Sequence, residues 1–178
     1  FASKLPKMST WGRNNGEQSP KKNWSLVEAR GKMETFCSYQ ERCPWELRRK
    51  LFEKGIQGEA IETILGELAA SGFVDEERFA RAYARGKFRI KRWGRNRIRQ
   101  ELKLRDISAS IIQKGLSEID GEEYFALLER ETEKKWEKTK EADAYKKRYL
   151  VTKYLLSKGF ESDLIQEALA SLTKKSDE

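Results

Sequence analysis

The side chains of this chain that are best suited to binding a ligand are the basic ones concentrated in the middle of the sequence. Residues 78–105 hold twelve Arg and Lys side chains against a single acid, Glu101. Guanidinium and ammonium groups donate hydrogen bonds to phosphate oxygens, and the planar guanidinium fork donates two at once. The pattern therefore favours contact with a phosphate polymer. The candidate phosphate-binding residues are Arg81, Arg85, Lys87, Arg89, Lys91, Arg92, Arg95, Arg97, Arg99 and Lys103.

These cations follow the spacing of two consecutive helices. On the first helix the arginines recur every three or four residues, one position behind an apolar stripe, so we expect them along one flank. That flank carries Arg78, Arg81, Arg85, Arg89 and Arg92, and the next helix continues it with Arg95, Arg99 and Lys103. The alternative interpretation is a solvated face balanced by acids from a neighbouring unit. Because eleven of the positive charges are uncompensated within the segment, we favour phosphate contact.

The residue types needed for catalysis are largely missing. Histidine is absent, which excludes imidazole acid–base chemistry, Ser-His and Cys-His nucleophiles and histidine metal sites. Cys37 and Cys43 lack the second pair that a zinc tetrad needs, so we interpret them as packing residues in a reducing compartment. Residues 75–77 are three acids that could hold a metal, but a helix start explains them more simply. We predict no enzyme, no cofactor and no metal.

The overall charge points to an anionic partner. The 178 residues include 37 Lys and Arg against 29 Asp and Glu, a net charge of +8. No apolar run approaches the roughly 20 residues that span a bilayer, so we expect a cytoplasmic protein with no membrane contact. Residues 1–24 are polar and basic and predict a flexible tail. The sequence begins with Phe1 rather than methionine, which is typical of an incomplete reading frame.

The apolar residues that must position the cations repeat three times. Successive members are separated by four, five, five, four and three residues in every copy. Each copy predicts two short helices joined by a tight turn. The three sets are Leu47, Leu51, Ile56, Ile61, Leu65 and Leu68; Ile98, Leu102, Ile107, Ile112, Leu116 and Ile119; and Val151, Leu155, Phe160, Ile165, Leu169 and Leu172.

The turn of each copy falls at a residue that tolerates the left-handed conformation. Gly55, Asp106 and Gly159 occupy this position, each followed by an apolar residue that packs back on the helix. A leading helix is predicted before each pair. In the middle unit its inward stripe is Phe79, Tyr83, Ile90 and Trp93, and in the last unit Tyr124, Phe125, Leu128 and Trp136. Residues 129–143 are highly charged and predict an exposed helix or a flexible joint.

The predicted fold class is all-α, with three tandem three-helix repeats forming an elongated, curved array. We expect the first repeat at residues 25–72, the basic second repeat at 73–120, and the third at 121–178, ending in a short charged tail. Such an array offers a long surface for a large partner rather than a pocket.

Several short segments, taken in order, resemble one known family. Residues 72–80 read GFVDEERFA, followed by WGR at 93–95 and IRQEL at 98–102. The likeness extends to YQERC at 39–43 and YLLSKGF at 154–160. Together these resemble RecX, the bacterial regulator of the RecA recombinase, and the cysteines with Trp93-Gly94 are most similar to versions from the Bacteroidetes lineage. Asp106 stands where the family often has glycine.

The resemblance implies a non-enzymatic regulator that binds the groove of the RecA filament on DNA. Family members usually restrain strand exchange, ATP hydrolysis and co-protease activity. The implied partners are RecA and single- and double-stranded DNA, contacted through phosphates by a protein that we expect to be monomeric. Our hypothesis assigns much of the attraction to Arg85, Arg89, Arg92, Arg95 and Arg99.

Two other interpretations of the chain belong to different classes. One is a free-standing DNA-binding protein of helix-turn-helix type, in which the second helix of a repeat enters the major groove. The other is a metal-dependent nuclease using acids at 75–77 or Glu101. Within the favoured class, the sequence is compatible with inhibition or assistance of RecA, and with binding at filament ends or along the groove.

Overall fold

The computed structural model describes residues 23–176, which form nine α-helices and no strand. The helices are α1 (Leu26–Tyr39), α2 (Pro44–Glu53), α3 (Glu59–Ala70), α4 (Glu76–Lys91), α5 (Arg95–Lys103), α6 (Ala109–Leu116), α7 (Gly121–Lys138), α8 (Ala144–Lys158) and α9 (Ser162–Ser176). The predicted all-α fold of three tandem three-helix repeats is confirmed. Most of the predicted tail, residues 1–22, lies outside the described residues, as do 177 and 178. Within the described part no helix is long and apolar enough to cross a bilayer.

Each repeat is a leading helix packed on a helix pair. The leading helices α1, α4 and α7 contact the last helices α3, α6 and α9 of their own repeats. Of the eighteen repeating apolar residues, all are buried except Leu172, which is half-buried near the end of α9. The repeating pattern is therefore the core of the fold. The exact unit boundaries stay predictions.

The three repeats build two cores rather than three. The first repeat has its own core, whereas the second and third share one continuous core. Cys43, at the start of α2, leaves the first core and packs into the shared one. Burial raises the pKa of its thiol to about 11, so Cys43 stays a protonated packing residue at neutral pH. Cys37 is also buried and free, which agrees with the packing role that the sequence predicts for both.

Local signals in the sequence account for the helix ends. Ser25, Asp75, Ser108, Asp120 and Asp143 each cap a helix by accepting a hydrogen bond from the backbone N–H three residues on. The three predicted turns are confirmed, because Gly55, Asp106 and Gly159 have φ of 86°, 58° and 90°. Asp106 shows that aspartate can hold the left-handed turn that glycine holds in the other repeats.

One prediction about the leading helices is wrong, and a second is right only in part. Ile90 is 77% exposed, and Phe88 is buried in its place. The buried face of α4 advances by steps of four from Ala80 through Ala84 to Phe88, which leaves position 90 outside it. On α7 the stretch predicted to be exposed or flexible is helical to Lys138, and its Glu131 and Thr132 are buried.

The second and third repeats meet through backbone contact at two glycines. The N–H of Gly94 donates to the carbonyl of Lys158 at 2.9 Å, and the N–H of Asn96 donates to the carbonyl of Gly159 at 3.0 Å. A Cβ atom added to Gly94 would lie 2.2 Å from the carbonyl carbon and oxygen of Gly159. Position 94 therefore requires glycine for space, since its φ of −74° is open to any residue.

Tyr124 of α7 completes this junction. Its ring lies between Phe88 and Phe160, with centroids 5.9 and 5.5 Å away. Its hydroxyl accepts a hydrogen bond from the N–H of Arg95 at 3.1 Å and donates one to Glu161. Burial, reinforced by Glu161, raises the pKa of this phenol well above its ordinary value. The buried ring keeps its polar atom satisfied while linking α7, α5 and the start of α9.

We predict that Gly94→Ala destabilises the protein, whereas Gly86→Ala stabilises it. The new methyl at 94 meets backbone that cannot move independently, so the free energy of unfolding should fall by about 1–3 kcal/mol. At Gly86, inside α4, a Cβ meets nothing within 4 Å, and alanine should add about 0.5–1 kcal/mol. Urea unfolding followed by circular dichroism measures both. Equal effects of the two substitutions would contradict the close backbone approach.

We also predict different sensitivity to substitution at two leucines that are two positions apart. Leu102 is fully buried in the shared core, whereas Leu104 is 68% exposed. Leu102→Ala should lower the free energy of unfolding by about 2–5 kcal/mol because it leaves a cavity. Leu104→Ala should change it by no more than about 0.5 kcal/mol. Urea unfolding followed by circular dichroism measures both changes. A large loss of stability in Leu104→Ala would show that the repeat register is wrong.

Candidate nucleic-acid interface

The arginine flank of α4 is neutralised by acids from outside the basic segment. Arg85 pairs with Glu118 at 2.8 Å and Arg89 with Glu123 at 3.5 Å. Arg81 contacts Glu118 as well, together with Glu77 at 2.8 Å on its own helix. Except for Glu77, these carboxylates come from the α6–α7 connection and from α7.

The pKa shifts show how firmly these carboxylates are held in the charged form. Hydrogen bonds from Arg81 and then Arg85 keep the pKa of Glu118 below its ordinary value. Lys114, followed by Arg81, does the same for Glu77. At neutral pH the acids are ionised, so the flank presents much less net positive charge than its sequence indicates.

Arg92 holds the most deeply placed of these acids. The side chain of Glu131 is 5% exposed and lies 2.6 Å from the Arg92 guanidinium. Tyr154 donates a second hydrogen bond to it at 3.4 Å, and burial followed by the Glu131 charge raises the pKa of Tyr154. A buried carboxylate needs a compensating charge, so Arg92 is a structural partner of α7.

Four candidate residues are therefore compensated by acids from outside the basic segment, although the sequence shows them as uncompensated within it. Arg81, Arg85, Arg89 and Arg92 all have ionic partners. The sequence carried the signal, because residues 118–131 are rich in acids. Only the fold shows that these acids face α4, and the balanced-face alternative describes this flank correctly.

Two further candidates are engaged by aromatic rings. The guanidinium of Arg95 lies 4.1 Å from the Tyr124 ring centroid and donates to the carbonyl of Ile119 at 3.3 Å. Arg97 lies 4.1 Å from the ring centroid of Trp93 and donates to the carbonyl of Ser157 at 3.1 Å. These arginines brace the junction between the second and third repeats.

Lys87 shares the indole of Trp93 with Arg97. Its ammonium lies 5.1 Å from the indole centroid and 5.0 Å from the ring of Tyr83. Trp93 is half-buried against the shared core and flanked by both cations. Its face is therefore occupied by the protein's own charges.

Three candidates remain available at the surface of the second repeat. Lys91 and Lys103 are exposed and have no hydrogen-bonded, ionic or ring partner for their side chains within residues 23–176. Arg99 is half-buried, and among the described residues its side chain donates only to Asn96 of its own helix, at 2.8 Å. We call Lys91, Arg99 and Lys103 the open cations. They lie at the end of α4 and on α5, which contact each other.

The acids that suggested a metal site have other tasks. Asp75 caps α4 by accepting the N–H of Arg78 at 2.8 Å. Glu77 binds Lys114 at 2.6 Å, and Glu101 pairs with Arg105 at 2.9 Å. Across the described residues no three Cys, Asp or Glu side chains are grouped so that they could hold a metal ion.

A second basic surface, absent from the predicted set, lies on α8. This helix contains five Lys and Arg residues and no acid. The signal was present in the sequence but was interpreted only as part of the third repeat. Its apolar residues at repeat spacing drew attention to the buried side of the helix.

Comparison with known proteins gives a consistent family. Models of the first, second and third three-helix domains of RecX match residues 29–68, 75–116 and 122–169. A regulatory protein RecX from Pelodictyon phaeoclathratiforme is 37% identical over 128 residues, covering 71% of this chain and 78% of that protein. One from Clostridium perfringens (strain 13 / Type A) is 34% identical over 130 residues, covering 72% of this chain but 60% of that protein's length.

The fold comparison agrees with the sequence comparison. A crystal structure of a regulatory protein RecX aligns with a TM-score of 0.75 at 25% identity, covering 82% of this chain and 73% of that one. Three domain matches in order, together with relatives above 30% identity, cover the same helices that carry the repeat. The chain belongs to the RecX family of regulatory proteins.

Proposed function

We propose that this chain regulates the RecA recombinase by binding in the groove of its filament on DNA. Bound there, it restrains strand exchange, ATP hydrolysis and co-protease activity. The observation that supports this most is the array of three three-helix repeats, which matches the RecX family along its length. Three units in a row can contact successive protomers of a helical polymer, whereas a single three-helix unit cannot.

The basic residues have two separate tasks in this proposal. The net charge of +8 draws the chain toward the DNA of the filament. The open cations Lys91, Arg99 and Lys103 then contact phosphates. The ion-paired arginines of α4 hold the second repeat against α7, so they act on binding through the shape of the array. This revises the hypothesis that Arg85, Arg89, Arg92 and Arg95 make the phosphate contacts themselves.

Regulation by occupancy needs no bond-breaking chemistry. An array lying in the groove blocks incoming duplex DNA and the repressor that the co-protease activity cleaves. The same position at a filament end hinders addition of the next protomer. Both effects require a stable shape, which the shared core and the backbone contact at Gly94 support.

We predict that titrating the protein into RecA assembled on single-stranded DNA lowers ATP hydrolysis and shortens the filaments together. The two readouts should be followed in the same sample, because groove occupancy affects both. Unchanged hydrolysis and filament length at saturating protein would contradict the proposal. Sequence-selective binding to duplex DNA without RecA would instead support a helix-turn-helix module.

We further predict that reversing the open cations weakens this inhibition. Lys91→Glu, Arg99→Glu and Lys103→Glu together should leave helicity unchanged, since these side chains have no tertiary partner among the described residues. The slope of log affinity for DNA against log salt concentration should fall by the equivalent of about three phosphate contacts. More of the variant protein should be needed for half-inhibition of RecA.

The control is a second triple variant with the same change in net charge, made in the third repeat. Lys134, Lys138 and Lys140, at the end of α7 and just beyond it, are exposed and also have no ionic partner in the part of the chain that the structure describes. Reversing these three to glutamate tests net charge alone. Equal loss of inhibition in both triple variants would show that the open cations are not a specific contact.

A further inference from the structure

The helix α8 has two faces of different character. Val151 and Leu155 are fully buried in the shared core. On the opposite side Tyr145 is 82% exposed, Tyr149 59% and Leu156 47%. These three positions fall within a narrow arc of a helix with 3.6 residues per turn. The outer face therefore carries uncovered aromatic rings that play no part in the core.

The same outer face carries cations without partners. Lys146 and Lys153 are exposed, and their side chains make no hydrogen bond, ion pair or ring contact within residues 23–176. No acid occurs anywhere in α8. The preceding Asp143 is occupied by its cap bond to the N–H of Lys146, at 2.9 Å. The positive charge of this face is therefore available to a ligand.

The outer face of α8 differs from its flanks in how the aromatic rings are covered. Lys147 lies 4.7 Å from the Trp136 ring centroid, and Lys158 lies 5.6 Å from that of Tyr154. There the protein covers its rings with its own cations, as it does at Trp93. On the outer face the rings of Tyr145 and Tyr149 have no such cover. Exposed rings beside unpaired cations are the features by which proteins bind single strands.

We propose that the outer face of α8 binds single-stranded nucleic acid. Tyr145 and Tyr149 stack on bases, and Lys146 and Lys153 contact the phosphates between them. The two tyrosines are one helical turn apart, about 6 Å along the axis, so each ring meets a different base. This contact is separate from the open cations of the second repeat, and it needs no RecA.

The unpaired lysines and flat tyrosine rings of the outer face favour a single strand over two other ligands, a membrane surface and an acidic protein segment. A membrane-surface helix lays a broad apolar face into the lipid, but Val151 and Leu155 of α8 are buried in the shared core, and its outer face interleaves Tyr145, Tyr149 and Leu156 with the unpaired Lys146 and Lys153. An acidic protein segment would satisfy the lysines, yet it gives the flat tyrosine rings no particular partner. A strand with stacked bases and regularly spaced phosphates uses both features at once.

The test uses the full chain and a fluorescent oligothymidine, with binding followed by anisotropy at moderate salt. Tyr145→Ala with Tyr149→Ala should weaken binding at least about tenfold, because stacking on each base is lost. The matched control is Tyr39→Ala with Phe52→Ala, which removes two aromatics of similar exposure, 86% and 57%, from the first repeat. The control should bind as the unmodified chain does, and Tyr145→Phe with Tyr149→Phe should restore binding.

An abasic strand and a lysine variant separate the contribution of base stacking from that of charge. An abasic strand of equal length has phosphates but no bases, so the tyrosine double variant should bind it as well as the unmodified chain. Lys146→Gln with Lys153→Gln should weaken binding to both strands and lower the salt slope by about 1.4, since each phosphate contact on a single strand contributes about 0.7. Vesicles of anionic phospholipid and polyglutamate test the other two occupants.

Three results would overturn the proposal. The first is equal affinity of the tyrosine variant and its control for oligothymidine. The second is equal weakening of the tyrosine variant on normal and abasic strands. The third is loss of vesicle or polyglutamate binding in that variant while oligothymidine binding is unchanged. Since RecA is absent from every arm, none of these results bears on inhibition of the filament.

Discussion

The arrangement of the second and third repeats depends on the close approach of two backbone segments at Gly94 and Gly159. With no side chain at position 94, the start of α5 can lie directly on the turn after α8 and form two backbone hydrogen bonds there. That approach places Tyr124 between Phe88 and Phe160 and lets Arg95 and Arg97 reach across the junction. The two repeats consequently share one core and one orientation.

The first repeat is attached differently. It keeps a separate core and contributes Cys43 to the neighbouring one. Across the boundary, Glu41 pairs with Arg78 at 2.6 Å, and Glu46 lies 3.6 Å from Arg105. Ion pairs at a partly exposed boundary fix orientation less firmly than backbone contact, because solvent and salt weaken them. The array thus combines a pair of repeats joined by backbone contact with a first repeat joined by ion pairs and by the packing of Cys43 and Trp45 on the shared core.

Sequence reasoning succeeded where the determinants are local and failed where they are not. The apolar repeat, the helix start at Asp75 and the left-handed turn at Asp106 each depend on neighbours within a few residues, so the local sequence predicted them. The exchange of Ile90 for Phe88 arose because the predicted stripe left Ala80 and Ala84 out of the buried face of α4. The pairing of Arg92 with Glu131 joins residues 39 positions apart, and no local pattern shows that these two meet.

The difference between local and long-range determinants also explains why the basic segment at residues 78–105 did not by itself identify the phosphate-binding surface. A count of charges along the chain cannot separate a cation that binds a ligand from one that holds the fold together. In the structure that separation follows from partners: the arginine flank of α4 meets acids of α7 and of the α6–α7 connection, and aromatic rings near α5 are covered by cations. Exposed rings and unpaired lysines occur together on α8, where the sequence has no acid at all. On α8 the absence of acid coincides with unpaired lysines, whereas the dense arginines of α4 are paired with carboxylates from other parts of the fold.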